Sequence, residues 1–327
     1  MAKARGDAPV DKTEAAAAGQ SSQSLEAAIK RLSELSGGVV GVSAIHVESG
    51  RRVAFNGRMR FPMASSYKMP IALQLLRRVD RGEVRLDDTI TVTPREFRSS
   101  YSPLADFAKG KPITLSVERL LELMLGDSDN TASDVILRVA GGPGAVTRRM
   151  RELGINDVDV SRSEGEIGAA LSGVYELPPE REWSPELFQK ISSQVKEADR
   201  PSIKERFLKD ARDTATPDAL AELLVRVHRG ETLAPPSTER MLQIMAASPT
   251  GPARLKGLLP PGTVVAHKTG TWGYVGTTND VGIVTLPGDA GHIAIAVLVK
   301  ASTKDVPERE RAIAEIARTI YDYFLLQ

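Results

Sequence analysis

The apolar positions near the start of the chain follow a helical spacing and then a strand spacing. A helix is predicted before Gly37-Gly38 from four apolar residues spaced three or four positions apart: Leu25, Ile29, Leu32 and Leu35. Residues 40–47 form an apolar run typical of a strand, residues 48–50 a turn, and residues 52–55 a second short strand. The chain therefore opens with a helix followed by two predicted strands.

The other end of the chain has the same elements in the reverse order. Two β-rich runs, at 281–286 and 292–301, are separated by Pro287-Gly288, and an amphipathic helix with Pro307 in its first turn follows them. The apolar stripe of that helix consists of Ile313, Ile316, Ile320 and Phe324. Strands at both ends predict one sheet that is built from the two halves of the chain.

The middle of the chain has a mostly helical pattern, with helices predicted at 69–81, 115–125, 131–139 and 144–153. The predicted fold is therefore α/β in the α+β sense: an antiparallel sheet flanked by N- and C-terminal helices, with an inserted all-helical lobe. Residues 24–60 and 211–327 are predicted to form a discontinuous α/β domain. Residues 61–210 are predicted to form an all-α domain with an extended segment near 172–209. We expect a functional site in the cleft between the two lobes.

Composition excludes several classes of function. The 43 basic residues nearly balance the 42 acidic ones, which gives no support for a nucleic-acid or anionic-membrane partner. No apolar run is long enough for a membrane-spanning helix. The chain has no cysteine, so disulfides, thiolate metal sites and cysteine nucleophiles are all excluded. Residues 1–23 lack the apolar stretch of a signal peptide and are predicted to be a disordered leader.

A Ser-x-x-Lys motif opens the predicted helix after Pro62. Residues three apart lie on one helix face, so the Lys68 amine can approach the Ser65 hydroxyl and assist a serine nucleophile. The start of the helix adds positive potential where an oxyanion would form. Ser193 and Lys196 match the same motif, but there a solvated helix face is the better interpretation.

Two further polar motifs follow along the chain. Ser128-Asp129-Asn130 lies just after a predicted helix, where Asp and Asn commonly cap the next one. Lys268-Thr269-Gly270 follows a β-rich run, so its Lys-Thr pair could bind a carboxylate while the glycine lets a ligand approach the backbone. A polar strand end is the alternative interpretation of this motif.

The three motifs in this order make the sequence resemble class A β-lactamases, whose motif set is shared with penicillin-binding proteins. The resemblance extends from about Leu25 to the C-terminus. It includes the segments 63–65, 101–103, 128–132, 212–217, 268–271 and 276–280. It implies the β-lactamase/transpeptidase-like fold and hydrolysis of β-lactam amides through a serine acyl-enzyme.

The resemblance implies a role for each matching residue. Ser65 would be the acylated nucleophile, Lys68 its proton partner, and Ser128 the group that passes a proton to the departing ring nitrogen. Asn130 would hold the substrate side-chain amide, and Tyr101 would wall the cleft unless it only packs there.

The same resemblance assigns the strand that follows. Lys268 would add positive potential, Thr269 would bind the substrate carboxylate, and the backbone N–H groups of Ser65 and Thr271 would form the oxyanion hole. No arginine follows Asn279 on the neighbouring strand, and Arg254 matches the alternative position that some members use for the carboxylate.

The catalytic loop departs from the family pattern Arg-x-Glu-x-x-x-Asn. Arg162 and Glu164 match, and the resemblance makes Glu164 the base that activates the deacylating water. Gly168 stands at the asparagine position, and Glu166 is a rival that would put Arg162 out of register. The segment up to Asp213 is longer than in the family, with the excess placed at residues 172–209.

Two more departures concern disulfides and metals. Ala64 and Trp272 occupy positions at which some carbapenem-hydrolysing relatives have a cysteine pair, so that bridge is impossible here. Trp272 is expected beside the site or at its mouth. The four histidines, His46, His228, His267 and His292, show no metal spacing, so no metal site is predicted. His267 precedes Lys268, but a structural role is favoured for it.

The sequence therefore predicts a serine β-lactamase that uses no cofactor, takes a small-molecule β-lactam as its substrate and acts as a monomer. A periplasmic or secreted location is expected, with any signal peptide already trimmed. The alternatives are a D-alanyl-D-alanine peptidase or transpeptidase, which has the three motifs without the loop glutamate, and a non-catalytic penicillin-binding protein. Rapid turnover of a chromogenic cephalosporin would separate the three.

Overall fold

The computed structural model describes residues 12–326, with side chains from Gln23 onward. Nine strands lie in this part of the chain: β1 Val39–His46, β2 Arg52–Phe55, β3 Phe61–Pro62, β4 Thr89–Val92, β5 Ile113–Ser116, β6 Thr214–Ala215, β7 Val265–Trp272, β8 Thr277–Thr285 and β9 His292–Lys300. Five of them form one antiparallel sheet in the order β2-β1-β9-β8-β7. This arrangement confirms the predicted sheet built from both ends of the chain.

Twelve α-helices lie in the same residues: α1 Lys12–Ser33, α2 Lys68–Asp80, α3 Pro103–Ala108, α4 Val117–Leu125, α5 Asn130–Val139, α6 Pro143–Glu152, α7 Glu164–Leu171, α8 Pro185–Ser193, α9 Arg200–Lys209, α10 Pro217–His228, α11 Pro235–Ala246 and α12 Val306–Leu325. None of them combines the length and the apolarity that a membrane crossing requires. The four helices predicted in the middle of the chain correspond to α2, α4, α5 and α6.

The strands divide their side chains between two hydrophobic cores. In β1, Val40, Val42 and Ala44 pack with α1 and α12, while Ile45 lies in the core that the sheet shares with the helical lobe. This follows from the two-residue period of a strand, which points successive side chains to opposite faces. The sheet is thus covered on both faces, and its edge strand β7 lies beside the cleft between the lobes.

Two details of the predicted domains differ from the structure. The inserted lobe is not all-helical, because β4 and β5 pair as a short antiparallel ribbon and β3 pairs with β6. The β-branched residues of the Thr89–Val92 segment favour extended backbone. Helix α1 begins at Lys12, so residues 12–23 are helical and not a disordered leader. The alanine run in this segment has high helix propensity. Residues 1–11 of the predicted leader lie outside the described residues.

The long segment at 172–209 is folded and packs on α7, the helix that begins at Glu164. Helix α8 contributes Phe188 and Ile191 to a small hydrophobic cluster with Trp183 and Ala169 of α7. Helix α9 contributes Phe207, which is buried and packs edge-on against Trp272 with ring centroids 5.1 Å apart. The insertion therefore supports both α7 and the end of β7.

Candidate active site

Ser65 lies in a 3-10 turn, Ala64–Tyr67, that leads directly into α2. The preceding Ala64 has a φ of +46°, in the left-handed region that is uncommon for residues other than glycine. The Asn279 amide holds this bend, since its Nδ2 donates to the carbonyl oxygens of Pro62 and Met63 at 2.9 and 2.8 Å. The buried sheet thus fixes the backbone immediately before Ser65, whose side chain lines the cleft.

Lys68 is buried one helical turn after Ser65. Its Nζ donates to the Ser128 carbonyl oxygen at 2.7 Å and to Asn130 Oδ1 at 2.6 Å, and it lies 3.2 Å from Glu164 Oε1. A buried ammonium needs such partners, because burial removes its hydration. Lys68 therefore connects three of the segments that were predicted to form the site.

Ser128 and Lys268 form the opposite side of the cleft. Lys268 is fully buried, and its Nζ donates to Ser128 Oγ at 2.9 Å and to the Thr269 carbonyl oxygen at 3.0 Å. Burial, with the nearby charges of Lys68 and Arg254, holds the pKa of Lys268 well below its usual range. Lys268 is therefore placed to supply a proton to Ser128.

The Ser128-Asp129-Asn130 motif both caps a helix and lines the cleft. Asp129 caps α5, accepting a hydrogen bond from the Ala132 backbone N–H at 2.7 Å. Ser128, with a φ of +66°, and Asn130 both line the cleft. The cap therefore fixes the backbone of this segment, from which Ser128 and Asn130 face the cleft.

The outer edge of β7 lies against Ser65. A Cβ built on Gly270 would lie 2.7 Å from the Met63 carbonyl oxygen and 3.0 Å from the Ser65 backbone nitrogen, so glycine permits this approach. As β7 is an edge strand, alternate backbone groups have no strand partner. The Ser65 backbone nitrogen therefore lies next to Gly270, one residue before Thr271, whose backbone N–H is expected to share the oxyanion hole.

The hydroxyls of Thr269 and Thr271 contact Thr250 and Arg254, which line the same cavity. Thr269 Oγ1 is 2.7 Å from Thr250 Oγ1, and Arg254 Nη2 donates to Thr271 Oγ1 at 2.6 Å. Arg254 is itself buried, pairs with Glu310 at 3.0 Å and lines the cleft. This places a cation next to the two threonines.

Glu164, and not Glu166, lies beside Lys68. Glu164 is the first residue of α7, and burial raises its pKa while the Lys68 charge opposes that shift. Glu166 turns back to cap the same helix, accepting hydrogen bonds from the backbone N–H and the hydroxyl of Ser163 at 2.8 and 3.0 Å. The geometry thus favours the register in which Arg162 and Glu164 match the family pattern.

A buried aspartate that the sequence motifs did not identify anchors the start of α7. Asp134 of α5 accepts hydrogen bonds from the backbone N–H groups of Glu164 and Gly165 at 2.7 and 3.2 Å, and its partner Arg98 donates at 2.5 Å. In the sequence Asp134 looks like one polar position on an amphipathic helix, so no local signal distinguishes it. Asp134 is a positioning residue for Glu164.

An ion pair closes the loop that carries Glu164. Arg162 Nε donates to Asp213 Oδ2 at 2.6 Å, and Arg162 Nη1 lies 3.3 Å from Asp210 Oδ2. The insertion lies between these partners in sequence. The loop ends are therefore held together across the added helices.

The cleft encloses a cavity of about 350 Å³. Ser65, Tyr101, Asn130, Glu164, Thr269 and Trp272 are among the residues that line it. All ten residues predicted for the site lie at it: eight line the cavity, and the other two, Lys68 and Lys268, contact residues that do. His267 does not line it but pairs with Asp280 at 2.9 Å in the sheet. Ser193 lies exposed at the end of α8, as expected for a solvated helix face.

Comparison with known proteins identifies the family. Residues 24–324 match the model of the β-lactamase enzyme family. The extended-spectrum β-lactamase PER-1 of Pseudomonas aeruginosa is 30% identical, with 88% of this chain and 82% of the relative aligned. The carbapenem-hydrolyzing β-lactamase KPC of Klebsiella oxytoca is 29% identical, with 86% and 83% aligned. The solved TLA-3 extended-spectrum β-lactamase superposes with a TM-score of 0.77 at 29% identity, covering 93% of this chain and 99% of that one.

Proposed function

The chain belongs to the class A serine β-lactamases, and we propose that Ser65 is the nucleophile with which it opens the β-lactam ring. The observation that carries this assignment is the position of Ser65 in the cavity, one turn before buried Lys68. A serine hydroxyl needs a nearby base to become an effective nucleophile. Lys68, bound to Ser128 and Asn130, connects Ser65 to the Glu164 carboxylate, which can take that proton.

In the acylation step, Ser65 Oγ attacks the lactam carbonyl carbon and gives its proton to the Lys68–Glu164 pair. The carbonyl oxygen becomes an oxyanion, which the backbone N–H groups of Ser65 and Thr271 stabilise. The ring C–N bond then breaks, and the nitrogen takes a proton from Ser128 Oγ. Lys268, 2.9 Å from that oxygen, restores the proton to Ser128. Lys268 is then reprotonated by the proton that Ser65 gave to the Lys68–Glu164 pair, so that Glu164 is ionised again for the next step.

In the deacylation step, Glu164 takes a proton from a water molecule as it attacks the ester carbon. The bond to Ser65 Oγ breaks, Ser65 takes the proton that Glu164 accepted from the water, and the opened product leaves. The raised pKa of the buried Glu164 carboxyl makes it a stronger base than an exposed glutamate, once it is ionised. Gly168 supplies no side chain to hold that water in place. Deacylation is therefore the step in which this chain departs most from the family pattern.

Residues on opposite walls of the cleft would recognise the substrate. Thr269, Thr271 and Arg254 form a cationic, hydroxyl-rich patch suited to the ring carboxylate. Asn130 presents its amide to the substrate side-chain amide, and Tyr101 walls the cleft at its open side. These contacts fit bicyclic penicillin- or cephalosporin-type substrates.

We also propose that the enzyme acts as a monomer in the periplasm or outside the cell. All the residues of the proposed mechanism come from one chain, so no partner subunit is needed to complete the site. The serine peptidase alternative is weakened by Glu164, because that class has the three motifs without a loop carboxylate. A non-catalytic role is weakened by the retention of Ser65, Lys68, Ser128 and Lys268 together.

Intact-mass analysis with a slowly released β-lactam tests the nucleophile. The wild type should carry one adduct, and Ser65→Ala should carry none. Ser193→Ala is the matched control, since Ser193 belongs to the second Ser-x-x-Lys motif and should leave the adduct unchanged. An adduct that survives in Ser65→Ala would overturn the assignment.

A further inference from the structure

Three metal-ligating side chains meet on the sheet domain, away from the catalytic cavity. Glu48 lies in the turn after β1, His228 ends α10, and His292 begins β9. One ring nitrogen or carboxylate oxygen from each lies within 4.8 Å of the other two. We propose that Glu48, His228 and His292 form a binding site for a zinc ion.

The chemistry of the three ligands suits zinc. Imidazole nitrogen and carboxylate oxygen are ordinary zinc ligands, and three protein ligands leave the fourth tetrahedral position to water. Each ligand atom binds zinc at about 2.0–2.1 Å, so the three ligand atoms must lie somewhat closer to one another than 4.8 Å. The three side chains must therefore move together when zinc binds. A site formed by side chains at a surface turn and a helix end can make that adjustment by rotamer changes.

Glu48 and His292 are already oriented toward each other. His292 Nδ1 lies 2.7 Å from Glu48 Oε1, and the His292 backbone N–H donates to Glu48 Oε2 at 2.8 Å. The backbone contact fixes the carboxylate from outside the cluster, as supporting groups do around metal sites. Zinc would replace the contact between the two side chains and retain the one from the backbone.

His228 supplies the third donor without giving up another contact. Its ring lies 4.2 Å from the His292 ring, tilted by 43°. Within residues 23–326, neither of its ring nitrogens takes part in a hydrogen bond. A shared metal ion would bind both imidazoles in the neutral form.

The residues just before β9 pack closely against the Glu48 carboxylate. Gly291 has a φ of +94°, and a Cβ there would lie 2.3 Å from Glu48 Oε2, so this position requires glycine. His46 lies close by, but its Nε2 is bonded to the Ala290 carbonyl oxygen at 2.7 Å and its Nδ1 contacts Ser49 Oγ at 2.9 Å. His46 therefore supports the cluster and is not one of its ligands.

The predicted effect of zinc is on stability. The ion would join the turn after β1, the end of α10 and the start of β9 in a chain that has no cysteine for a disulfide. None of the three ligands lines the cavity at Ser65. The prediction of no metal site rested on spacing along the chain, and these ligands come from three distant segments.

Titration of chelator-treated protein with ZnCl2, by calorimetry and thermal unfolding, tests the site. We expect one ion per chain and a midpoint raised by about 4 °C when zinc is a hundredfold above its Kd. Glu48→Gln and His228→Gln should each weaken zinc binding at least tenfold. Glu239→Gln is the matched control, because Glu239 is an exposed carboxylate beside the same histidines and outside the cluster.

Imidazole NMR identifies the ligands directly. Zinc should shift the signals of His228 and His292, while His267 in the sheet keeps its signal. Absence of saturable binding, or unchanged affinity in both ligand variants, would overturn the proposal. Zinc-free Glu48→Gln and His228→Gln should keep wild-type turnover of a chromogenic cephalosporin. This outcome separates the zinc site from the serine mechanism, and either proposal can fail while the other stands.

Discussion

The Lys68 ammonium nitrogen lies 3.2 Å from Glu164 Oε1, and both side chains are buried. This pair joins α2, which begins just after the nucleophile, to α7, which carries the proposed deacylation base. Because the two charges face each other, moving the loop changes the surroundings of Lys68 as well. The proposed mechanism therefore couples acylation and deacylation through this contact.

The first prediction concerns the identity of the deacylation base. Glu164→Gln keeps the side-chain shape but removes its basicity, so steady-state turnover should fall by about 10²–10⁴-fold while the acyl-enzyme accumulates. Stopped-flow kinetics should show an initial burst, and mass analysis the trapped adduct. Glu166→Gln is the matched control and should turn over like the wild type. If Glu166→Gln accumulates the acyl-enzyme while Glu164→Gln turns over normally, the alignment of the loop with the family pattern is wrong by two residues.

The second prediction concerns the pH dependence of deacylation. Burial raises the pKa of Glu164 above the ordinary glutamate value of 4.5, so the carboxylate becomes protonated, and inactive as a base, at a higher pH than usual. The deacylation rate should therefore fall as the pH is lowered, with the midpoint above 4.5. Single-turnover measurements from pH 4 to 8 give this profile. A rate that stays constant down to pH 4.5 would contradict it.

The third prediction compares two glycines of α7. A Cβ on Gly165 would lie 2.9 Å from the Trp183 ring and 3.1 Å from Phe188, whereas a Cβ on Gly168 meets nothing within 4 Å. Gly165→Ala should destabilise the protein by about 1–3 kcal/mol and displace Glu164, slowing deacylation. Gly168→Ala should stabilise it by about 0.5–1 kcal/mol, because Gly168 is helical with no positive φ.

The same position allows a gain of function. Gly168→Asn restores the residue of the family pattern, and the open space there accommodates the side chain. Deacylation should become faster than in Gly168→Ala, since the amide can hydrogen-bond the attacking water. Thermal unfolding and single-turnover kinetics on all three variants provide the comparison. Equal deacylation rates in Gly168→Asn and Gly168→Ala would mean that the insertion already holds the water.

The fourth prediction concerns the substrate carboxylate. Arg254→Ala should lower kcat/KM about 10- to 100-fold for substrates that carry the ring carboxylate, because a charge-assisted contact is lost. Glu310→Gln leaves the guanidinium in place and removes only its ion-pair partner, so it should change kcat/KM far less. An equal loss in both variants would assign Arg254 to support of Thr271 rather than to binding.

Local sequence pattern predicted the elements that surround the site. The spacing of Leu25, Ile29 and Leu32 predicted the first helix, and the apolar run at 40–47 predicted β1, because these periodicities arise from local backbone geometry. The three catalytic motifs were found in the same way. Each is a short segment whose residues lie a few positions apart, so order along the chain is enough to recognise it.

The tertiary structure decided which of the available side chains work together. Glu164 and Glu166 have the same side chain and lie two positions apart. The start of α7 directs Glu164 toward Lys68 and Glu166 into a helix cap. Asp134 and the Glu48, His228 and His292 cluster have no local signal at all. Their contacts join distant segments, and such contacts depend on how helices and strands pack. The sequence by itself determined the elements and the catalytic motifs, while packing determined the direction, burial and partners of each charged group.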